Sequence, residues 1–108
     1  GLKRIANFVT VPTRLEGYRE TFSLYMARFK KRDALMKYLI ERGIEAKIHY
    51  PVPLHLQKAA ENLGYKRGDF PMSEQYAEEI MTLPSHQYLT KDQISYMVKN
   101  IITFYSNI

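Results

Sequence analysis

A change of hydrophobic period within residues 21–50 constrains the fold more than any other feature of the sequence. Residues 21–29 alternate between two sides, which is typical of a strand whose faces are both partly covered. Residues 31–42 switch to helical spacing and stop at Gly43, since glycine adopts the left-handed conformation at a helix end with little penalty. Residues 44–50 return to alternation and predict a second strand. The chain therefore contains a strand, a helix and a strand in direct succession.

Rigid turns and further helices follow the second predicted strand. Pro51 and Pro53 restrict their own backbone and that of the residues before them, which predicts an extended corner. The final helix has the clearest start: Thr90 and Gln93 fit a capping box, in which each side chain accepts a hydrogen bond from the other residue's backbone amide. The remaining predictions are an extended or helix-end segment over residues 5–12, helices over residues 54–63 and 71–80, and a short buried strand over residues 81–84.

Length and composition limit what these elements can form. The 108 residues suffice for one hydrophobic core. The absence of cysteine excludes disulfides, thiolate metal sites and a cysteine nucleophile. No apolar run approaches the roughly 20 residues that span a bilayer, and no signal-peptide pattern follows the N-terminal residues. We therefore predict a cytoplasmic protein with no membrane partner, and the start at Gly1 suggests an expression remnant or a fragment.

Metal and hydrolase sites find little support in this sequence. The three histidines, His49, His55 and His86, do not have the spacing of a zinc site, which needs three or four converging ligands. No GxSxG sequence marks a nucleophilic serine, and the five glycines are scattered rather than gathered in a phosphate-binding loop. The sequence therefore predicts no metal site.

The charge balance is basic, because 16 Lys and Arg stand against 11 Asp and Glu for a net charge of +5. Such a balance favours anionic partners: nucleic acids, phosphorylated small molecules or acidic proteins. Nine tyrosines and five phenylalanines would suit a nucleic-acid surface, but no RNP-type stretch with glycine between aromatics is present. Nucleic acid is therefore not a predicted partner. A freestanding basic α+β module that binds nucleic acid or an acidic protein is kept as an alternative.

Residues 43–57 form the most unusual segment. The second predicted strand brings His49 and Tyr50 to its end, where Pro51 and Pro53 fix the backbone. A rigid strand end suits ligand binding, since side chains project into a cleft from a fixed backbone. Alternatively, the neighbouring helix partly buries these two side chains and satisfies their polar atoms. Spacing alone favours that structural role.

Several short stretches occur in an order that matches one protein family. They are Tyr25 to Asp33, Arg42-Gly43-Ile44, His49-Tyr50-Pro51-Val52-Pro53-Leu54-His55, Gly64-Tyr65, Gly68-Asp69-Phe70-Pro71 with Glu74, Leu83-Pro84 and Leu89-Thr90. Together they resemble the C-terminal part of the DegT/DnrJ/StrS family, whose members are pyridoxal-phosphate-dependent aminotransferases that act on nucleotide-linked keto-sugars. The resemblance covers residues 18–107.

The resemblance implies a fold and an organisation for the chain. It implies the small C-terminal domain of a fold-type I pyridoxal-phosphate enzyme: an α+β domain with a small mixed or antiparallel sheet of about three strands and helices packed on one face. The elements predicted from periodicity agree with this fold. Residues 18–108 would form the small domain, and residues 1–17 would be a linker that leads in from a large domain missing from this chain.

The resemblance also implies a function. The family's large domain binds pyridoxal phosphate through a lysine Schiff base. No lysine here has similar surroundings, so we expect this chain to hold no cofactor and no catalytic residue, and to be inactive alone. His49 and Tyr50, at the sugar side of the active site, are the implied substrate-binding residues. His55 is a third, although it matches a loop-ordering role equally well.

The same resemblance describes the complete enzyme. It would transfer an amino group from an amino acid, commonly glutamate, to a nucleotide-linked keto-sugar, and it would be a homodimer. Relatives that remove a sugar hydroxyl carry histidine in place of the reactive lysine. A pyridoxal-phosphate-dependent sugar dehydratase of the same fold is therefore the second interpretation, because the deciding position lies outside this chain.

Overall fold

The computed structural model describes residues 1–108, and three strands form one antiparallel sheet in the order β1-β2-β3. The strands are β1 at Val9–Thr10, β2 at Tyr25–Phe29 and β3 at Ile80–Leu83. Three α-helices accompany them: α1 at Arg32–Ile40, α2 at Pro71–Glu79 and α3 at Lys91–Ser106. Short 3-10 helices lie at Leu2–Ile5, Leu54–Leu56 and Lys58–Leu63. The predicted α+β class with about three strands is confirmed.

The hydrophobic core lies between one face of the sheet and helices α1 and α3. Successive strand residues point to opposite faces of a sheet. Ala27 and Phe29 of β2 share the core face with Met81 and Leu83 of β3. Thr82, between the last two, consequently faces away from this core. The helices contribute their most buried residues to it: Leu35, Leu39, Ile101 and Tyr105.

The first ten residues pack on the same core. Ile5 and Val9 are buried, and β1 pairs with β2. The Phe8 ring stacks on the Tyr105 ring, with 4.9 Å between centroids. This segment therefore contributes to the packed unit. The boundary after residue 17, and a linker role for the residues before it, stay predictions.

The last helix, α3, is capped at its N-terminus by Thr90, as predicted. The Thr90 hydroxyl accepts a hydrogen bond from the Gln93 amide at 3.2 Å, and the Gln93 side chain accepts one from the Thr90 amide at 2.9 Å. These bonds satisfy donors that have no partner within the helix. Neither α3 nor any other helix combines the length and apolar character of a membrane span.

Residues 44–50 do not form the predicted second strand, and that prediction is wrong. Only Lys47 pairs with the sheet, in a single bridge to Thr82 on β3. The pairing is short because the Ile44 amide still donates to the Leu39 carbonyl of α1, and two prolines follow soon after the bridge. The third strand of the sheet is therefore β1.

Two further elements differ in extent from the prediction. β2 begins at Tyr25 rather than at residue 21, because Phe22 has a left-handed conformation (φ 49°) that interrupts the extended run. The helix predicted over residues 54–63 is split into two 3-10 helices. Gln57 between them is extended (ψ 149°), and its side chain donates to the Val52 carbonyl. The other helices and β3 differ from their predicted bounds by one or two residues at an end.

Candidate functional site

The segment that carries His49 is anchored to β3 by its backbone. Lys47 and Thr82 exchange two backbone hydrogen bonds, of 3.2 and 2.8 Å. His49 lies two residues beyond Lys47, so its side chain emerges on the same side of the sheet as those of Lys47 and Thr82. That side is opposite to the hydrophobic core. The bridge thus fixes the point from which the His49 ring projects.

The Thr82 side chain contacts the His49 ring directly. His49 Nδ1 lies 3.0 Å from Thr82 Oγ1, and the same hydroxyl donates to the Lys47 carbonyl at 3.1 Å. Thr82 is only 5% exposed, whereas His49 is half-buried. The other ring nitrogen, Nε2, makes no hydrogen bond within the chain. One edge of the ring is therefore held by the sheet, and the other is available to a ligand.

His49 and Thr82 line an open cavity of about 1350 Å³. Its wall also includes Lys47, His86 and, from α3, Tyr96. Sites for drug-sized molecules typically measure roughly 300–1,000 Å³. The space beside His49 is thus large enough for an extended polar ligand, and it places two of the three histidines of the chain at one surface.

Tyr50 lies beside this cavity but does not line it. The residue is 72% exposed, and its ring meets the His49 ring edge-on, with centroids 5.7 Å apart. The peptide bond between the two residues is cis. Val52 and Leu54, in the turn that follows, are exposed as well. The Tyr50 ring is therefore free to stack on a ligand that extends beyond the cavity.

His55 lies in a separate and buried cluster. Its side chain is 7% exposed, and its Nε2 is 2.9 Å from Oε1 of Glu74. The Phe70 ring packs on the His55 ring at a centroid distance of 4.7 Å. These contacts tie the turn after Pro53 to helix α2. The structure thus separates His55 from His49, and a substrate contact by His55 stays a prediction.

Glu74 is the acceptor on which this buried cluster depends. The hydrogen bond from His55, followed by bonds from the Gly68 and Phe70 amides, holds the pKa of Glu74 below its usual value, although burial acts in the opposite direction. Arg67 lies farther out, with its Nη1 at 4.0 Å from Oε2 of Glu74. Donors on several sides thus satisfy this carboxylate, which gives it a structural role within the chain.

Sequence patterns place neither Thr82 nor Glu74 beside a histidine. Thr82 is a polar residue inside a short apolar strand, and a hydroxyl in such a place requires a hydrogen-bond partner. That requirement is the available signal for a site next to β3. Glu74 closes one of the family-like stretches, but nothing in the sequence pairs it with His55, because the two residues belong to different elements.

Residues 1–108 do not fit the role of holder for pyridoxal phosphate. A lysine that reacts with an aldehyde is activated by desolvation or by a neighbouring cation. Every lysine of this chain is exposed, and the chain has no glycine-rich phosphate loop. No group of three or more His, Asp or Glu side chains is placed to bind a metal ion.

The fold of this chain matches one part of solved aminotransferase structures. A solved structure of a DegT DnrJ EryC1 StrS aminotransferase from Brucella abortus superposes with a TM-score of 0.84 at 31% identity. The match covers 95% of this chain and 28% of that structure's chain. The family model of the DegT/DnrJ/EryC1/StrS aminotransferases matches residues 1–102, so the chain belongs to this family.

Two curated relatives extend the comparison. A "Pleiotropic regulatory protein" of Geobacillus stearothermophilus is 39% identical over 94% of this chain. A "dTDP-3-amino-3,6-dideoxy-alpha-D-galactopyranose transaminase" of Aneurinibacillus thermoaerophilus is 33% identical over 93% of it. The chain spans about 27% of the length of each relative.

Proposed function

We propose that this chain is the sugar-facing part of a pyridoxal-phosphate-dependent aminotransferase. The enzyme would transfer an amino group from an amino acid, commonly glutamate, to a nucleotide-linked keto-sugar. Family membership supports the reaction class, and the name of the Aneurinibacillus relative contains a dTDP-linked amino sugar. In this proposal the cofactor, its reactive lysine and the second subunit of a homodimer come from outside residues 1–108, and the chain alone is inactive.

The observation that carries the proposal is the placement of His49. Its ring is held at Nδ1 by Thr82, and its free Nε2 belongs to a residue of the cavity wall. A side chain that is already ordered loses little conformational entropy when it binds a ligand, so it orients a sugar hydroxyl efficiently. Tyr50, exposed beside it, adds an aromatic surface for stacking.

Charge is consistent with an anionic substrate. The net charge of +5 favours a nucleotide diphosphate over a neutral sugar. Lys47, on the cavity wall, pairs with Glu45 at 2.6 Å, and both side chains are more than half exposed. Such an exposed pair contributes little by itself. Recognition of the sugar therefore depends on His49 more than on this lysine.

The test uses the complete natural polypeptide that contains these residues. We expect His49→Ala to lower kcat/KM for the nucleotide sugar by about tenfold or more, the effect of a lost hydrogen bond to a polar ligand. Bound pyridoxal phosphate per subunit should not change, because His49 does not hold the cofactor in this proposal. Lys58→Ala, at an exposed position outside the cavity, serves as the control.

Two results would reject parts of this proposal. Unchanged turnover in His49→Ala would remove this residue from the sugar site. A sugar product that lacks a hydroxyl and has gained no amino group would assign the polypeptide to the dehydratases instead. Mass spectrometry of the product formed with glutamate as donor distinguishes the two reactions.

A further inference from the structure

We propose that Thr82 is a positioning residue that holds neutral His49 in the tautomer protonated at Nδ1, so that Nε2 faces the ligand as a hydrogen-bond acceptor. The inference deepens the proposed function and relies on it only for the identity of the ligand. The arrangement of the His49 ring itself follows from contacts within the chain.

The contacts form a short chain of hydrogen bonds that ends on the backbone. His49 Nδ1 is 3.0 Å from Thr82 Oγ1, and Oγ1 is 3.1 Å from the Lys47 carbonyl oxygen. The same carbonyl accepts the Thr82 amide at 2.8 Å. Thr82 is 5% exposed, so water does not readily replace these partners.

The number of hydrogens decides the direction of each bond. The Thr82 hydroxyl has one hydrogen, and the Lys47 carbonyl can only accept. When the hydroxyl donates to that carbonyl, its oxygen has only lone pairs left for His49, so Nδ1 must be the donor. The reverse arrangement would leave Oγ1 and the carbonyl oxygen as two facing acceptors and would lose one hydrogen bond. The donor arrangement is therefore the more stable one.

This tautomer selects the kind of ligand group that Nε2 can bind. In a neutral imidazole one nitrogen donates and the other accepts. With the proton on Nδ1, Nε2 accepts a hydrogen bond from a sugar hydroxyl or an amino group, but it cannot donate to a carbonyl oxygen. Thr82 thus selects for a donor group at this position of the sugar.

The direct test is nitrogen NMR of the complete natural polypeptide, labelled with ¹⁵N-histidine and measured at a pH at which the ¹⁵N shifts themselves show that the His49 ring is neutral. The signals of His49 are assigned by their loss in His49→Gln. We expect a protonated, pyrrole-type Nδ1 and an unprotonated, pyridine-type Nε2. In Thr82→Val, which keeps the shape and removes the hydroxyl, the proton should move in part or fully to Nε2. Thr82→Ser should restore the original pattern.

Other histidines of the chain provide an internal control. His55 has Glu74 as its partner, and His86 has no hydrogen bond to Thr82, so neither signal should change in Thr82→Val. A proton on Nε2 of His49 in the unsubstituted protein would overturn the proposal. An unchanged tautomer in Thr82→Val would do the same. If Thr82→Val does not fold, Thr82→Ala, which also removes the hydroxyl, takes its place with the same expected result.

Turnover separates this inference from the proposed function. If His49 binds the sugar, Thr82→Val should lower kcat/KM for the nucleotide sugar by about three- to tenfold, and Thr82→Ser should restore it. A tautomer change without any loss of turnover supports the positioning by Thr82 and rejects His49 as a sugar contact. A loss of turnover with an unchanged tautomer rejects the positioning.

Discussion

Nε2 of His55 and Oε1 of Glu74 lie 2.9 Å apart in a buried cluster and connect two segments that are distant in the sequence. The histidine belongs to the 3-10 helix at Leu54–Leu56, and the glutamate belongs to α2. Because both side chains are nearly buried, their mutual hydrogen bond replaces the water that each has lost. The cluster makes the stability of this region dependent on the charge of Glu74.

Acid should destabilise the protein through Glu74. The pKa of Glu74 is lower in the folded state than its ordinary value of 4.5. The stability that this residue contributes is therefore present above pH 4.5 and is lost as the pH falls through the lowered pKa. Glu74→Gln should be less stable at neutral pH and should lose less stability in acid. Urea unfolding between neutral pH and about pH 3 measures this, with Glu78→Gln on the same helix as control. Parallel curves for Glu74→Gln and the unsubstituted protein would contradict the prediction.

Arg32 should be important for stability despite its charge. Its side chain is 8% exposed, and Nη1 donates to the carbonyls of Ala77 and Ile80, where α2 ends and β3 begins. Arg32→Met should lower the free energy of unfolding by about 3 kcal/mol, because two carbonyls lose a charged donor. Arg14→Met, at a position that is 69% exposed, should cost less than about 1 kcal/mol. Similar losses in the two variants would show that solvent can replace the bonds of Arg32.

Tyr105 should make the fold sensitive to alkali. Its hydroxyl donates to the Lys30 carbonyl at 2.7 Å, and burial raises its pKa above the ordinary value of 10.0. Since the unfolded chain ionises first, the contribution of Tyr105 is present below pH 10 and is lost as the pH rises further. Tyr105→Phe should cost about 1 kcal/mol at neutral pH and should reduce the alkaline loss. Unfolding curves at neutral and alkaline pH measure both effects, and Tyr88→Phe, at a position that is 79% exposed, should show neither.

The capping box should contribute measurably to α3. Thr90→Ala removes the hydroxyl that accepts from the Gln93 amide and should cost about 1 kcal/mol in thermal or urea unfolding. Thr90→Ser keeps the oxygen and should retain most of that energy. Equal losses in the two variants would mean that packing of the threonine methyl group, and not the cap, is responsible.

Substitution of Tyr50 should change substrate binding but not the free energy of unfolding. Because the residue is 72% exposed, Tyr50→Ala should change the free energy of unfolding by no more than about 0.5 kcal/mol. If the ring stacks on the substrate, the KM for the nucleotide sugar should rise about fivefold. Leu54→Ala, at an 80% exposed position in the same turn, is the matched control. Equal KM values for the two variants would exclude stacking by Tyr50.

Local sequence signals account for much of the fold. The start of α3 is encoded by Thr90 and Gln93, which are three residues apart and need no distant partner. The end of α1 is encoded by Gly43, whose φ of 73° has the expected left-handed sign. The sequence also identified the apolar strand β3 to within a residue at each end. Each of these features is signalled by residues that are close neighbours in the sequence.

Local signals do not predict which residues contact each other when they lie far apart in the sequence. Alternation in residues 44–50 correctly predicts that the side chains of Ala46 and His49 point to opposite sides. It cannot predict how many of these residues form backbone hydrogen bonds with β3. Family resemblance singled out His49 and His55 together. Their different surroundings follow from Thr82 and Glu74, which lie 33 and 19 residues away in sequence. Three-dimensional placement alone shows that one histidine faces a cavity and the other is enclosed.

Neighbouring residues of β3 tolerate different substitutions, because successive side chains of a strand point to opposite faces of the sheet. Met81 and Leu83 face the core, so other apolar side chains of similar volume can replace them if the packing density is kept. Thr82 faces the opposite side and needs a hydroxyl rather than a volume. Leu83 also lines the cavity beside His49, whereas Met81 does not, so drift at Met81 should alter thermostability with little effect on ligand choice. Protein engineering could therefore raise thermostability through substitutions at Met81 and change ligand specificity through substitutions at Thr82.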